Sequence, residues 1–324
     1  KSIKLHLTLN NCHMNKILIF NLYFVFLIST NKADADNSPK VSNAGKVERH
    51  VVYGNYSGMA LMMDIYYPEK QNGHGVIQIS GSGFTRSLSL DAELLSDWRH
   101  VKYHSEPLLE AGYTVFALNH RMTPRFKYPS QISDVQRAVR FIRHNAKRFQ
   151  IDPERIGAIG ESSGGYLATM LGVLDGDENI PDDHPTNALG AKVQCVVALG
   201  APIELFGELD LSFYLGFRRK EQLVKGSIEH AIATEASPLS HVSRDDAPIL
   251  MIHSDSDEKV GFSHSKLMYN KLKSISLPTK LIQINGANHE LFINGLRVDS
   301  FTNDYVLWMD KHLRGEVTES NARR

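Results

Sequence analysis

The sequence is poor in cysteine, has no excess of either charge and contains no long apolar run. Its two cysteines, Cys12 and Cys195, are too few for the disulfide framework that stabilises many small secreted domains. Lysine plus arginine and aspartate plus glutamate each total 36, so no overall electric field attracts nucleic acid. The basic run at residues 218–220 is too short to change that. We therefore expect no nucleic-acid partner.

The apolar run at residues 17–28 is shorter than the roughly 20 residues that span a membrane. It follows Met14 and Lys16 and precedes an Ala-x-Ala site that ends at Ala35, which is the pattern of a secretory signal peptide. We expect residues 1–35 to comprise an upstream segment and a signal peptide that is cleaved after its last residue. The mature protein would then be secreted or periplasmic, without stable membrane insertion. An uncleaved helix lying in the membrane interface is the alternative.

The rest of the chain has the composition of one large globular domain. Hydrophobic residues make up 42% and charged residues 22% of the sequence, which is typical of a soluble protein with a deep core. We expect a flexible segment at residues 36–46, a domain at residues 47–314 with a cap-like insertion at residues 201–246, and a polar tail at residues 315–324. Cys195 is expected to be a small core residue rather than a reactive thiol.

Apolar runs with strand character alternate with helical patterns along most of this domain. The predicted strands are residues 49–52, 59–67, 75–80, 113–118, 156–159, 193–199, 249–253 and 279–284. The predicted helices are residues 105–110, 131–145, 265–275 and 302–312. The first two strands are expected to pair antiparallel, and the later alternation favours an α/β fold with a mostly parallel sheet flanked by helices.

The motif Gly160-x-Ser162-x-Gly164 follows the apolar run at residues 156–159. This order predicts strand, sharp turn and helix, the arrangement known as the nucleophile elbow. The elbow holds Ser162 at the carboxyl edge of the sheet. The N–H of Ser163 begins the helix and points to where negative charge develops, so it supplies half of an oxyanion hole.

A serine becomes a good nucleophile only when an oriented base removes its proton. Asp255 and Asp257 follow the strand at residues 249–253, and His289 follows the last strand. The order Ser162, Asp, His289 is the one expected of an α/β-hydrolase triad. We predict that Asp257, rather than Asp255, orients the histidine, because the later carboxylate of such a loop usually turns back toward it.

The stretch Gly81-Ser82-Gly83-Phe84 directly follows the strand at residues 75–80. Glycines at this point let backbone N–H groups approach a ligand, as the other half of an oxyanion hole requires. We predict that the N–H groups of Ser82 and Gly83 are donors there. A plain turn is the alternative.

Aromatic residues near these motifs are candidates for substrate binding. Phe84 follows the predicted oxyanion loop, and Phe206, Phe213 and Tyr214 lie in the insertion at residues 201–246. The insertion residues either line a substrate cleft or only anchor the insertion to the core, and the sequence favours neither use.

With these motifs the chain resembles the α/β-hydrolase superfamily over residues 75–171 and in the loops of Asp257 and His289. It more narrowly resembles the hormone-sensitive-lipase-like and feruloyl or acetyl-xylan-esterase-like carboxylesterases. That narrower likeness lies in three segments, residues 80–84, 119–124 and 160–165.

The chain departs from those esterases in two loops. They usually have His-Gly-Gly-Gly in the first segment, where this chain has Ser80 and Ser82 in place of the histidine and the middle glycine. Backbone donors survive this change, but a β-carbon at Ser82 is expected to narrow the pocket. Ser254 and Gly261 stand where glycine and proline are more usual in the loop of the acid.

The resemblance implies a serine carboxylesterase that cleaves short-chain acyl esters, including acetyl or feruloyl esters of plant polysaccharide, through an acyl-enzyme. Its substrate would be a small-molecule or carbohydrate ester, and the chemistry needs neither a metal nor an organic cofactor. A serine peptidase of the same fold and a non-catalytic binding protein with a hydrolase fold are the alternatives. The presence of all three triad groups argues against the second alternative.

Overall fold

The computed structural model describes residues 41–176, 184–206, 209–218 and 222–315. The predictions of a signal peptide and of a polar tail beyond residue 315 concern residues outside these ranges, and Cys12 also lies outside them. Both stay predictions.

An eight-stranded sheet forms the centre of the domain. Its strands, in chain order, are β1 (Ala44–Tyr56), β2 (Met59–Pro68), β3 (Gly75–Ile79), β4 (Thr114–Leu118), β5 (Ile156–Glu161), β6 (Cys195–Leu199), β7 (Ile249–Ser254) and β8 (Thr279–Ile284). Their order across the sheet is β1-β2-β4-β3-β5-β6-β7-β8. Strand β2 pairs antiparallel with β1 and β4, and the other neighbours are parallel. The predicted α/β-hydrolase fold with a mostly parallel sheet is confirmed.

Helices connect the parallel strands. The α-helices are α1 (Arg99–Glu110), α2 (Ser130–His144), α3 (Ala146–Phe149), α4 (Ser163–Val173), α5 (Ser212–Leu215), α6 (Ile228–Glu235), α7 (Ser263–Ser274) and α8 (Thr302–Met309). A small hairpin, β9 (Phe292–Ile293) and β10 (Leu296–Arg297), follows the last strand of the sheet. None of the helices in the described ranges has both the length and the apolar character needed to cross a bilayer.

Both faces of the sheet are buried, which explains the nearly continuous apolar character of its central strands. Successive residues of one strand enter different core clusters, as Val76 and Ile77 of β3 do. One cluster includes α1 and α8, and the other includes α2, α4 and α7. Cys195 is fully buried beside Met309, and burial raises the pKa of its thiol, so the thiol is an unreactive core group.

The largest differences from the predicted boundaries are at the starts of β1 and α1. Strand β1 begins at Ala44, within the segment predicted to be flexible, because Ala44 pairs in register with Pro68 of β2. Helix α1 begins at Arg99 instead of residue 105. The described parts of the predicted insertion follow β6 and contain the short helices α5 and α6.

Candidate active site

Ser162 lies at the sharp turn between β5 and α4. Its backbone has φ +51° and ψ −124°, a conformation that costs energy in any residue other than glycine. Gly160 and Gly164 must be glycines because a β-carbon on either would clash with the backbone. A β-carbon on Gly160 would lie 2.4 Å from the carbonyl carbon of Gly164, and one on Gly164 would lie 2.1 Å from the oxygen of Ile79. The predicted elbow is therefore built so that the Ser162 side chain projects from a strained turn.

The structure brings Ser162, Asp257 and His289 together. His289 Nε2 lies 2.9 Å from Ser162 Oγ, and His289 Nδ1 lies 2.7 Å and 2.9 Å from the two carboxylate oxygens of Asp257. Ser162 and His289 are 127 positions apart in the chain and meet because both follow parallel strands at the same edge of the sheet. The three side chains form a continuous hydrogen-bonded series.

Asp255 is engaged elsewhere. Its carboxylate accepts hydrogen bonds from the N–H of Gly286 at 2.8 Å and from the Gln283 amide at 3.1 Å. It therefore ties the loop after β8 to the loop after β7, and the carboxylate against His289 belongs to Asp257.

The environment of Asp257 favours its charged form. Burial alone would raise the pKa of this carboxyl, but hydrogen bonds from His253, His289 and the backbone N–H of Val260 outweigh burial and hold the pKa well below its usual range. The N–H of Lys259 also donates to it, at 2.9 Å. An ionised Asp257 fixes the proton of His289 on Nδ1, which leaves Nε2 free to accept a proton from Ser162.

The predicted oxyanion loop differs from expectation in one respect. The N–H of Ser82, predicted to be a donor in the hole, donates instead to Ser163 Oγ at 2.8 Å, because this chain has a hydroxyl at the position after the nucleophile. The Ser82 hydroxyl contacts Met122 Sδ at 3.1 Å, so it is committed to the loop at residues 119–124. A β-carbon on Gly81 would lie 2.6 Å from the oxygen of Glu161, so the loop passes directly against the elbow.

The four aromatic candidates do not act as one surface. Phe84 and Tyr214 are fully buried, with their rings stacked 4.0 Å apart, and Phe84 also meets Tyr166 edge to face at 5.2 Å. Of the two uses left open for Tyr214, anchoring the insertion is the one consistent with its burial. Phe206 is half-buried against the core, and only Phe213 is exposed.

Glu161, the residue before the nucleophile, lies against two histidines of α1. Its carboxylate oxygens are 2.6 Å from His100 Nδ1 and 3.3 Å from His104 Nε2. Burial would raise the pKa of Glu161, but His100 and His104 together hold it well below its usual range. Helix α1 is thus tied to the elbow. Within the described ranges, no three His, Cys, Asp or Glu side chains are arranged to hold a metal ion.

A recess of about 400 Å³ borders the loop of His289. Its lining includes Arg99, Asn288, Glu290 and Phe292. Arg99 pairs with Glu290 and lies over the Phe292 ring, 5.5 Å from its centre. The recess is therefore lined by charged, amide and aromatic groups, several of them from the chain neighbours of His289.

A side chain on Gly200, directly after β6, would fit only tightly against Asp257. Gly200 has φ +52°, and a β-carbon there would lie 3.3 Å from Asp257 Oδ2 and 3.5 Å from His289 Cε1. The contact with Asp257 Oδ2 is tighter than usual, so a β-carbon at this position would displace the Asp257 carboxylate relative to His289.

We expect Gly200→Ala to lower kcat by about threefold to tenfold, because a misplacement of about 1 Å can cost about 10²-fold in rate and this contact requires only a fraction of that shift. It should also lower Tm through left-handed backbone strain of about 1–2 kcal/mol. Gly73→Ala is the matched control, since Gly73 has φ +83° and a β-carbon there would meet no atom within 4 Å. Ester hydrolysis and thermal unfolding of both variants separate the two effects. Equal loss of kcat in both would refute the crowding explanation.

The family model BD-FAE matches residues 63–272, more than half of the 324 residues. The chain belongs to the BD-FAE family. The matched range contains the oxyanion loop, the elbow and Asp257, and it ends before His289. The assignment of His289 therefore rests on its order in the chain and on the geometry of the site.

This BD-FAE chain is similar to curated hydrolases and to solved esterases. It is 24% identical over 172 residues to the probable carboxylic ester hydrolase LipM of Mycobacterium tuberculosis, which covers 52% of this chain and 39% of LipM. It is 26% identical over 120 residues to an acetylxylan esterase of Xylanibacter ruminicola, covering 37% of this chain and 23% of that protein. A solved truncated carbohydrate esterase from gut microbiota superposes with TM-score 0.68 at 25% identity, over 84% of this chain and 98% of that one. This chain spans about half or less of the length of the first curated relatives.

Three features of the site in this BD-FAE chain were not predicted from its sequence. Gly200 gives no sequence signal. The histidines that face Glu161 are four positions apart on one helix, a spacing that places them on the same face. His253 is predicted only as the end of a strand, although its spacing of four residues from Asp257 is visible in the sequence.

Proposed function

We propose that this chain is a serine carboxylesterase that hydrolyses short-chain acyl esters through an acyl-enzyme. The observation that carries the proposal is the hydrogen-bonded series Ser162, His289, Asp257 at the end of a strained elbow. Such a series serves nucleophilic attack on a carbonyl carbon. The esterase names of the similar proteins support the same reaction class.

In the acylation step, Ser162 Oγ attacks the ester carbonyl while His289 Nε2 takes the hydroxyl proton. The ionised Asp257 stabilises the resulting imidazolium. His289 then gives the proton to the departing alcohol oxygen. In deacylation His289 Nε2 removes a proton from water, which attacks the acyl carbonyl. The bond between the acyl carbon and Ser162 Oγ then breaks, and His289 returns the proton to Oγ, which releases the acid and restores the Ser162 hydroxyl.

The oxyanion that forms in each step needs aligned donors. We propose the N–H groups of Gly83 and Ser163, because Ser163 begins α4, where N–H groups have no acceptor within the helix, and Gly83 has φ +61° in the loop against the elbow. Removal of one such donor typically costs about 2.7–4 kcal/mol. The N–H of Ser82 contributes only if it leaves Ser163 Oγ.

The acyl group is proposed to be short. Phe84 directly follows Gly83, and its ring packs against Tyr166 and Tyr214, so side chains fill the space beside the loop. The similarity to an acetylxylan esterase and to an ethyl acetate hydrolase of Pseudomonas putida agrees with a small acyl group.

The alcohol is proposed to be a carbohydrate, as in acetyl or feruloyl esters of plant polysaccharide. The recess bordered by the His289 loop is lined by Asn288, Glu290, Arg99 and the Phe292 ring, and such a mixture of polar and aromatic groups suits a hydroxylated partner. The solved carbohydrate esterase supports the same choice.

We expect kcat/KM to be higher for p-nitrophenyl acetate and butyrate than for p-nitrophenyl decanoate. Acetate release from acetylated xylan and ferulate release from feruloylated arabinoxylan test the alcohol. Ser162→Ala protein serves as the blank for each substrate. A decanoate optimum would contradict the short acyl group. Failure to release acid from both polysaccharides would contradict the carbohydrate alcohol.

A further inference from the structure

Building on the proposed function, we infer that His253 is a positioning residue for the reaction, which holds the Asp257 carboxylate in the orientation that His289 needs. His253 is fully buried near the end of β7. Its ring nitrogens contact a side chain of α7, the carboxylate of Asp257 and the backbone of the intervening loop.

The protonation of His253 follows from one of these partners. His253 Nε2 lies 2.8 Å from the carbonyl oxygen of Val260. Because a carbonyl oxygen only accepts hydrogen bonds, Nε2 must carry a proton. The same N–H faces Asp257 Oδ2 at 3.1 Å. In the neutral ring, Nδ1 then accepts from the Ser265 hydroxyl at 2.7 Å, so both nitrogens are used.

Asp257 is therefore held between two imidazoles. Asp257 Oδ2 accepts hydrogen bonds from His253 Nε2 and from His289 Nδ1. Asp257 Oδ1 accepts hydrogen bonds from the backbone N–H groups of Lys259 and Val260. The Asp257 side chain is only 1% exposed, so water cannot replace a lost donor freely. Without His253, only the loop backbone would oppose rotation of the carboxylate away from His289.

A matched pair of substitutions tests this role. The amide nitrogen of glutamine reaches about where Nε2 stands, whereas the amide of asparagine reaches only the side of Nδ1. We expect His253→Asn to lower kcat about 10- to 100-fold, the effect of one lost hydrogen bond to a charged group, with KM little changed. His253→Gln should retain most of the activity.

A double-mutant cycle separates positioning from a merely structural role. If His253 acts through Asp257, His253→Asn should lower kcat in the wild-type background and have no further effect on kcat in Asp257→Asn protein. Its effect on Tm should persist in both backgrounds. Equal kcat losses in both backgrounds, or no loss in the wild-type background, would overturn the inference.

Two further measurements keep the test decisive. Ser265→Ala leaves the His253 ring in place but removes its Nδ1 partner. We expect Ser265→Ala to lower kcat by a smaller factor than His253→Asn does, and to have no effect on kcat in Asp257→Asn protein. This cycle decides the matter if His253→Asn does not fold.

The downfield NMR resonance of the proton between His289 and Asp257 should shift in His253→Asn but not in His253→Gln. This readout needs no turnover, so it stands even if Ser162→Ala shows that the proposed esterase function is wrong.

Discussion

Ser162→Ala is expected to lower kcat for p-nitrophenyl acetate by about 10⁵- to 10⁶-fold, the scale seen when the nucleophile of a catalytic triad is removed. The hydroxyl is placed to attack, since His289 Nε2 is directed at Ser162 Oγ at 2.9 Å. Alanine keeps the β-carbon of Ser162 and removes only the hydroxyl, which forms this hydrogen bond. Thermal unfolding should therefore change little, and an acyl-enzyme adduct should disappear from the mass spectrum.

Ser89→Ala is the control for this substitution, because Ser89 is exposed in the described structure and outside the site. It should leave both kcat and Tm unchanged. Retained hydrolysis by folded Ser162→Ala protein would contradict the assignment of the nucleophile and, with it, the proposed esterase function.

Asp257→Asn is expected to lower kcat by about 10⁴-fold. An amide presents its N–H₂ group to His289, which favours the tautomer with the proton on Nε2 and so removes the base from Ser162. The loss should fall mainly on kcat, because Asp257 is buried behind the histidine and away from the substrate. Steady-state kinetics and a circular dichroism melt of the variant test this.

Asp255→Asn makes the same chemical change two residues earlier in the same loop. Asp255 is exposed and bonds to Gly286 and Gln283, so we expect its loss to cost no more than about tenfold, the effect of a single weakened surface contact. A larger loss in Asp255→Asn than in Asp257→Asn would reverse the roles of the two carboxylates.

The fold class and the chemical groups of the site were predictable from local sequence. Alternating apolar runs and helical stripes indicate a parallel α/β sheet, and parallel strands deliver their following loops to one edge. That geometry makes the order of Ser162, Asp257 and His289 along the chain informative. The two flanking glycines were predictable for the same reason, since a strained turn cannot tolerate β-carbons.

The remaining features depend on contacts between distant residues. The hydrogen bond from the Ser82 N–H joins residues 81 positions apart and depends on one side-chain rotamer of Ser163, which no local pattern specifies. The positions of the aromatic rings also depend on tertiary contacts. Composition alone cannot distinguish a ring that lines a cleft from one that is buried, and stacking of Phe84 on Tyr214 is a tertiary contact.

The first turn of α1 reaches both the elbow of Ser162 and the loop of His289. Arg99 pairs with Glu290, next to His289, and His100 lies against Glu161, next to Ser162. Two consecutive residues of one helix therefore join loops that follow two different strands of the sheet. A substitution that shifts this helix end would reach the surroundings of Ser162 and of His289 at once, through the half-buried contact of Glu161 and the more exposed pair of Glu290.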